Sequence, residues 1–253
     1  MNKNVEYLSK AEEVSMSNDW FALADAQHFW MQWRVKAMLK HRAMMPPRGS
    51  LLLEIGCGNG VVVNQLEESM GYVVDGCDLN SMALSMSAPS TGRKMVYNIY
   101  DGNAELLGKY DGIILLDVLE HIDNDVDFLT TSMRYLKPGG TVIINVPAHQ
   151  WLFSTYDEEN GHKRRYNIAM LNKVLRSCNL TTQSIFYWCF LMLPFLAIRK
   201  QVYRIKKNKV MQTGFTPPGI LAHSFFKMLM YIETALPFNM PSGTSVMAIC
   251  KTP

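Results

Sequence analysis

The stretch Pro147 to Asn167, PAHQWLFSTYDEENGHKRRYN, concentrates groups that can move protons and hold charge. Its 21 residues include two histidines, an acidic triplet, three consecutive basic residues and four aromatics. Histidine is the natural general base near neutral pH, which singles out His149 and His162. Asp157 can orient His162 as a base–carboxylate pair. Arg164 and Arg165 can clamp a phosphate or carboxylate, and Tyr156 and Tyr166 can line a pocket. The alternative is a solvated polar loop, so the elements around the stretch have to decide between the two.

A second constellation precedes it. LLLEIGCGNG, residues 51–60, runs a strand signal into Glu54, Gly56, Gly58 and Gly60 and then into a helix. Glycines there permit a tight turn and let a ligand approach backbone N–H groups at a helix N-terminus. A dinucleotide fingerprint is spaced G-x-G-x-x-G. In this chain the third glycine comes one residue early, and Val61 stands where it would be needed. Asp78 follows 22 residues after Gly56, at the end of the next strand. A carboxylate at that place can accept hydrogen bonds from both hydroxyls of a ribose.

These residues need a frame. Residues 1–45 read as helical, with Trp20, Phe21, Leu23, Phe29, Trp30 and Trp33 at helix-spaced positions. MPPRG at 45–49 breaks that pattern. Strand and helix signals then alternate. SLLLEIG, GYVVDGCDL, MVYNIYD, YDGIILLD and TVIINVP read as strands, while VVVNQLEESM and DNDVDFLTTSMRYLK read as helices. The second helix is stopped by Pro138-Gly139-Gly140. After the opening stretch come a helix, IAMLNKVLRSCNL, and a strand, TTQSIFYW. The last strand is TSVMAICK, 244–251, and some 55 residues separate these two strands, far more than a hairpin needs. Apolar runs alternating with helices indicate an α/β fold with a doubly wound parallel sheet covered on both faces. No internal repeat or low-complexity tract interrupts it.

Four features in order resemble the class I S-adenosylmethionine-dependent methyltransferases: EIGCGNG, CDLN, YDGIILLDVLEHI and LKPGGTVIINVP. The resemblance covers roughly residues 50–190 and 244–251. AQHFWMQWR and the GH-x-RRY element further resemble a bacterial subgroup of saccharide, lipid-linked or secondary-metabolite pathways. The resemblance implies a Rossmann-like seven-stranded sheet, six strands parallel and one antiparallel. It divides the chain into an N-terminal helical cap (1–45) and a methyltransferase domain (46–253), with a helical insertion at about 189–243. It implies S-adenosyl-L-methionine as cofactor and S-adenosyl-L-homocysteine as product. Carried over by position, Gly56, Gly58 and Gly60 lie beneath the methionine part, and Glu54 orients that loop and the amino group. Asp78 binds the ribose, Leu79 packs on adenine, Asp101 accepts from the adenine amino group, and Asp117 faces the methionine end.

Methyl transfer to oxygen or nitrogen releases a proton, so a base near the acceptor is useful. His121 and His149 follow strand signals and His162 lies in the opening stretch, all on the ligand-binding edge of an open α/β sheet. His28, His41 and His223 read as structural. No metal-ligand spacing is legible, since DEEN lacks the pattern of a calcium loop.

The chain of 253 residues is 48% hydrophobic, ordinary for a globular protein. Its five scattered cysteines lack C-x-x-C spacing, which argues against disulfides and zinc and favours a reducing, cytoplasmic setting. The first 19 residues show no secretory-signal pattern. Charge is uneven. Residues 1–159 hold 12 Lys+Arg against 21 Asp+Glu, whereas 160–253 hold 13 against Glu233 alone. So basic a C-terminal third is suited to an anionic acceptor or surface. IFYWCFLMLPFLAI is too short to span a bilayer, and RKQVYRIKKNK follows it with six basic residues in eleven. Residues 185–237 therefore read as a peripheral contact with the inner face of a membrane, or equally as a lid or a homodimer patch. The expected acceptor is a small molecule or a lipid- or saccharide-linked one. The alternatives are a nucleic-acid acceptor, although no nucleic-acid module accompanies the basic charge, and a non-catalytic cofactor-binding regulatory or scaffold protein.

Overall fold

The apolar runs become the centre of one sheet. The computed structural model describes residues 5–12, 25–205 and 219–253. Its strands are β1 (Val5–Tyr7), β2 (Leu51–Ile55), β3 (Val73–Asp78), β4 (Lys94–Val96), β5 (Tyr110–Leu116), β6 (Leu136–Pro147), β7 (Thr181–Trp188) and β8 (Ser245–Lys251). They lie in the order β1-β4-β3-β2-β5-β6-β8-β7. β8 runs antiparallel to both neighbours, and the other pairings are parallel.

Alternate residues of the central strands enter opposite cores. Leu53, Ile113, Leu115, Val142 and Ile144 face one side, and Leu52, Ile114 and Ile143 the other. Both sides are therefore buried, as a parallel sheet requires. The described helices are α1 (Phe29–Lys40), α2 (Val61–Met70), α3 (Ser81–Ser85), α4 (Asp125–Met133), α5 (Thr155–Glu159), α6 (Ile168–Ser177), α7 (Leu193–Ile205) and α8 (Ile220–Ala235). Phe128 and Leu129 of α4 and Leu171, Val174 and Leu175 of α6 close the first core. Phe29 and Trp33 of α1, Val62 and Leu66 of α2 and Met230 of α8 close the second. Asparagine side chains begin three of these helices, with Asn124 accepting from the backbone N–H of Asp127 (3.2 Å). Asn80 accepts from the backbone N–H of Met82 (3.0 Å), and Asn167 from that of Met170 (2.8 Å).

The sheet has eight strands rather than the expected seven. The extra one is β1, inside the segment read as helical. Val5–Tyr7 adds to the β4 edge in parallel register, and Glu6 pairs with Arg93 (Nε to Oε1 3.0 Å). Three residues are too short to show a periodicity, which is why the pattern missed them. α4 also ends at Met133, earlier than expected, because Leu136 already pairs with Tyr110 and the Pro-Gly-Gly turn falls inside β6.

The C-terminal helices close onto the N-terminal one. Phe226 of α8 lies 4.9 Å from Phe29, and the Lys36 ammonium sits 4.8 Å above the Tyr231 ring. Glu233, buried in α8, accepts from the N–H groups of Cys189 (2.6 Å) and Leu191 (3.0 Å) where the chain leaves β7. Among the described residues, no helix is long and apolar enough to cross a membrane. The five cysteines are buried free thiols. Trp20, Phe21, Leu23 and the end of the basic segment beyond Ile205 lie outside the described residues.

Candidate active site

Strand order reverses between β2 and β5, which opens a crevice at their carboxyl ends. The glycine loop forms its floor. Gly56, Gly58 and Gly60 all take positive φ (76°, 55° and 71°). A Cβ on Gly56 would stand 2.7 Å from Cγ2 of Val118, so glycine is required there on two counts. The Gly56 and Cys57 N–H groups donate to Cys77 O (2.8 and 3.1 Å), and Gly58 N–H donates to Asp78 Oδ2 (2.8 Å). The loop is thus pinned to the end of β3. Asp78 also accepts from Asn80 N–H through Oδ1 (2.8 Å). Above the loop lies a cavity of about 480 Å³, within the usual range for small-molecule sites.

The side of the cavity formed by β3 and β4 presents Asp78, Leu79, Tyr97, Asn98 and Ile99. Asp101 is not in the wall. A short 3-10 turn, Ile99–Asp101, starts when Asn98 accepts from Tyr100 N–H (3.1 Å) and leaves Asp101 exposed, with Ser9 Oγ donating to it. Asn98 occupies the wall where Asp101 was expected.

The β5 side presents Glu54, Asp117, His121, Met31 and Arg34. Glu54 is buried, and its Oε2 has no hydrogen-bond partner among the described residues. Burial pushes its pKa up to about 8; Arg34 opposes that rise and Asp78 adds to it. Asp117 has φ 57° and accepts from Arg34 Nη1 and Asn145 Nδ2, both at 2.7 Å. Burial raises this carboxyl too, with Arg34 opposing. Sequence reasoning assigned no role to Arg34. The signal available was one charge, four residues after Trp30, on a helix face otherwise apolar. Asn145 within the apolar run TVIINVP was a second unread signal.

Across the cavity edge, the His121 ring stands edge-on to that of His162, with centroids 4.8 Å apart. Burial and neighbouring His162 push the His121 pKa down to about 4, while a hydrogen bond to the Gly161 backbone works against this. His162 Nδ1 lies 2.9 Å from Asp157 Oδ1. Asp157 is fully buried and receives both arms of Arg165, Nε at 2.8 Å and Nη2 at 3.1 Å. Burial alone would raise the Asp157 carboxyl; the His162 hydrogen bond and the Arg165 pair override it and bring the pKa to about 2.

Several residues of the opening stretch face inward instead of toward a ligand. The Arg165 guanidinium is buried against Asp157 and Ala148 O (3.3 Å), so its fork is engaged within the protein. Tyr166 is buried, with its hydroxyl on Asp125 Oδ2 (2.9 Å) and Leu119 O (3.2 Å). Arg164 reaches Asp125 (3.3 Å) and Asp123 O (3.0 Å). Tyr156 lies under the Arg199 guanidinium at 4.6 Å. His149, with φ 64°, pairs with Ser242 Oγ (2.8 Å) and stacks on Tyr187; it is outside the cavity wall.

A family model described as a methyltransferase domain matches residues 23–190, more than half of the chain. The chain belongs to this family, that of the class I S-adenosylmethionine-dependent methyltransferases. Among curated relatives, the ubiquinone biosynthesis O-methyltransferase of Vibrio parahaemolyticus is 26% identical over 156 residues, covering 54% of this chain and 66% of the relative. That of Maricaulis maris is 33% identical over 105 residues, covering 39% and 41%. The chain therefore spans about two thirds or less of the curated relatives it matches. Two solved structures share the fold. Phosphoethanolamine N-methyltransferase 2 of Haemonchus contortus, in complex with S-adenosyl-L-methionine, superposes with TM-score 0.57 at 17% identity, covering 87% of this chain and 53% of that one. A SAM-dependent methyltransferase of Archaeoglobus fulgidus gives 0.53 at 16% identity, covering 86% and 93%.

The wall fits S-adenosylmethionine. A glycine cradle, carboxylates on both sides of the switch point and a buried Glu54 oxygen without a partner suit a ligand bearing a ribose diol, an ammonium and a sulfonium.

Asp157 makes a stability prediction. Its folded pKa lies below the unfolded value, so its contribution is present above about pH 4 and is lost as pH falls toward about 2. Asp157→Asn leaves Arg165 buried without a counter-charge and is expected to cost about 3–5 kcal/mol at neutral pH. Urea unfolding of both proteins across this range should show the difference shrinking by about 2 kcal/mol at the acid end. A difference independent of pH would show that the ionised carboxylate is not what stabilises the loop.

Proposed function

We propose that the protein transfers the methyl group of S-adenosylmethionine to an oxygen of a small or lipid-linked, anionic acceptor in a biosynthetic pathway. The observation that carries this reading is the pair His121 and His162: His121 lines the cofactor cavity, His162 stands edge-on behind it with ring centroids 4.8 Å apart, and Asp157 holds His162. When bound, the cofactor supplies a methyl group already activated on sulfur. The protein's part is alignment and proton handling. Gly56, Gly58 and Gly60 run beneath the methionine part, Glu54 faces its amino group, and Arg34 is the cation available to its carboxylate. Asp78 takes the ribose hydroxyls and Leu79 the adenine, with Asn98 in the role expected of Asp101. An oxygen acceptor gains the methyl as the sulfur–carbon bond breaks, and its proton leaves through the histidine cluster. The curated relatives named as O-methyltransferases favour oxygen over nitrogen.

The lipid-linked form of the acceptor draws on the C-terminal helices. Ile198, Ile220, Leu221 and Tyr231 are all more than half exposed, and Ile220 and Leu221 reach 88%. Apolar side chains this bare, beside a basic segment, support contact with an anionic lipid surface.

Three measurements test the reading. Incubation with methyl-labelled cofactor and cell extract should label a small or lipid-extractable product, and His162→Ala should lower kcat without weakening cofactor binding. Label found in nucleic acid, or no turnover at all, overturns the proposal. In calorimetry, Asp78→Ala should weaken cofactor binding by at least about tenfold, the worth of a charge-assisted hydrogen bond; unchanged affinity removes Asp78 from the ribose. Flotation with vesicles containing an anionic phospholipid should carry the protein upward, and failure to float removes the membrane contact.

A further inference from the structure

We propose that Glu120, His121 and His162 form a binding site for a divalent first-row transition-metal cation at the acceptor end of the cofactor cavity. Each offers one ligand atom, and the three atoms lie within 4.8 Å of one another. Sequence spacing showed no metal set, because the fold assembles this one from two distant segments. Glu120 and His121 occupy the 3-10 turn Leu119–His121 after β5, and His162 comes from the stretch after β6. Lys163 N–H donates to Glu120 O (2.8 Å) and holds the segments together.

Glu120 carries the argument. It is wholly buried, and neither carboxylate oxygen has a hydrogen-bond partner among the described residues. A carboxyl group placed so is costly unless something compensates it. The nearby guanidinium of Arg165 is already engaged by Asp157, and Asp117 is already paired with Arg34 and Asn145. A bound cation would satisfy both oxygens.

The histidines are prepared for coordination. Asp157 accepts from His162 at Nδ1 (2.9 Å), which leaves Nε2 as the ligand atom, and Arg165 fixes Asp157 in turn. A carboxylate behind a coordinating imidazole is the usual outer support of a metal ligand. His121 stands edge-on to His162, with ring centroids 4.8 Å apart, so the two imidazoles converge with Glu120 on one point. Two imidazoles and one carboxylate suit Zn²⁺, Co²⁺, Mn²⁺ or Fe²⁺ better than Mg²⁺ or Ca²⁺, and they leave coordination positions open. Metal–ligand bonds of about 2.0–2.2 Å require the three donors to close by roughly an ångström.

His121 also lines the cofactor cavity, so an open position would face the acceptor. This role rests on the reaction proposed above. A cation there would take over the histidines' part in that reaction: it would lower the proton affinity of an acceptor hydroxyl, whose proton would pass to solvent while its oxygen gained the methyl group from sulfur.

The test reads metal binding alone. The full chain, stripped with chelator, is titrated with Co²⁺ and Zn²⁺ by equilibrium dialysis and visible spectroscopy. The wild type should bind one cation per chain and show Co²⁺ d–d absorption. Glu120→Gln and His162→Asn should each abolish that absorption, and Asp157→Asn should weaken binding roughly ten- to a hundredfold. Cofactor affinity and thermal melting show whether Glu120→Gln remains folded; if it does not, His162→Asn carries the comparison. No stoichiometric binding by the folded wild type, or wild-type binding by the folded variants, overturns the site. The titration needs no acceptor, so a chain that binds Co²⁺ here yet transfers no methyl group in the separate assay with labelled cofactor and cell extract overturns the reaction proposed above and leaves the metal site standing.

Discussion

The ion pair between Arg34 and Asp117 is the constraint on which the site depends. It joins α1 to the tip of β5 across the cavity at 2.7 Å, with Arg34 almost wholly buried. Buried ion pairs add little net stability, because desolvation offsets their attraction, but losing one partner is severe. The pair therefore specifies position more than it stabilises. Asp117 adopts a left-handed backbone conformation that a non-glycine residue holds only when its surroundings insist. Arg34 and Asn145 are those surroundings. Trp188 donates to Asn145 Oδ1 (2.8 Å) and lies 5.7 Å from Trp30, over which the Arg34 guanidinium sits at 4.7 Å. The ring of contacts closes through α1, β5, β6 and β7, so the N-terminal helix cannot shift without disturbing the strand tip.

That arrangement also sets the electrostatics. Among the described residues, Glu12, Glu54, Asp78 and Asp117 line the cavity against the one guanidinium of Arg34. Burial raises Glu54, Asp78 and Asp117 above their ordinary values, because nearby positive charge is scarce. A ligand that brings positive charge relieves all three at once, which favours a sulfonium over a neutral analogue of the same shape. Arg34, through its pair with Asp117, prevents the imbalance from becoming prohibitive.

The legible parts of the molecule were those with a local signature. The glycines and Asp78 are close in sequence and depend on backbone geometry alone, and the central strands are apolar on both faces because helices cover both. What escaped was decided by contacts between distant segments. β1 is too short for a pattern and exists because the β4 edge accepts it. Asp101 looked like a ligand but is turned outward when Asn98 caps the turn before it. Arg165 and Tyr166 looked like an acceptor clamp, yet their partners, Asp157 and Asp125, lie within the protein. Glu120 drew no notice because nothing in its neighbourhood along the chain shows that both oxygens would be sealed from water.

The internal use of Arg165 explains why the loop after β6 is so heavily charged. A histidine at a cavity edge is useful only if its ring is held, and a buried carboxylate is the strongest local means of holding it. Such a carboxylate must itself be kept ionised, and a bidentate guanidinium does this at little conformational cost. The sequence Asp157…His162…Arg165 supplies all three within nine residues, closed by the hydrogen bond from His162 N–H to Asp157 O (2.8 Å). The charges that suggested a substrate clamp are thus the support for one imidazole, that of His162, which stands edge-on to His121 in the cavity wall.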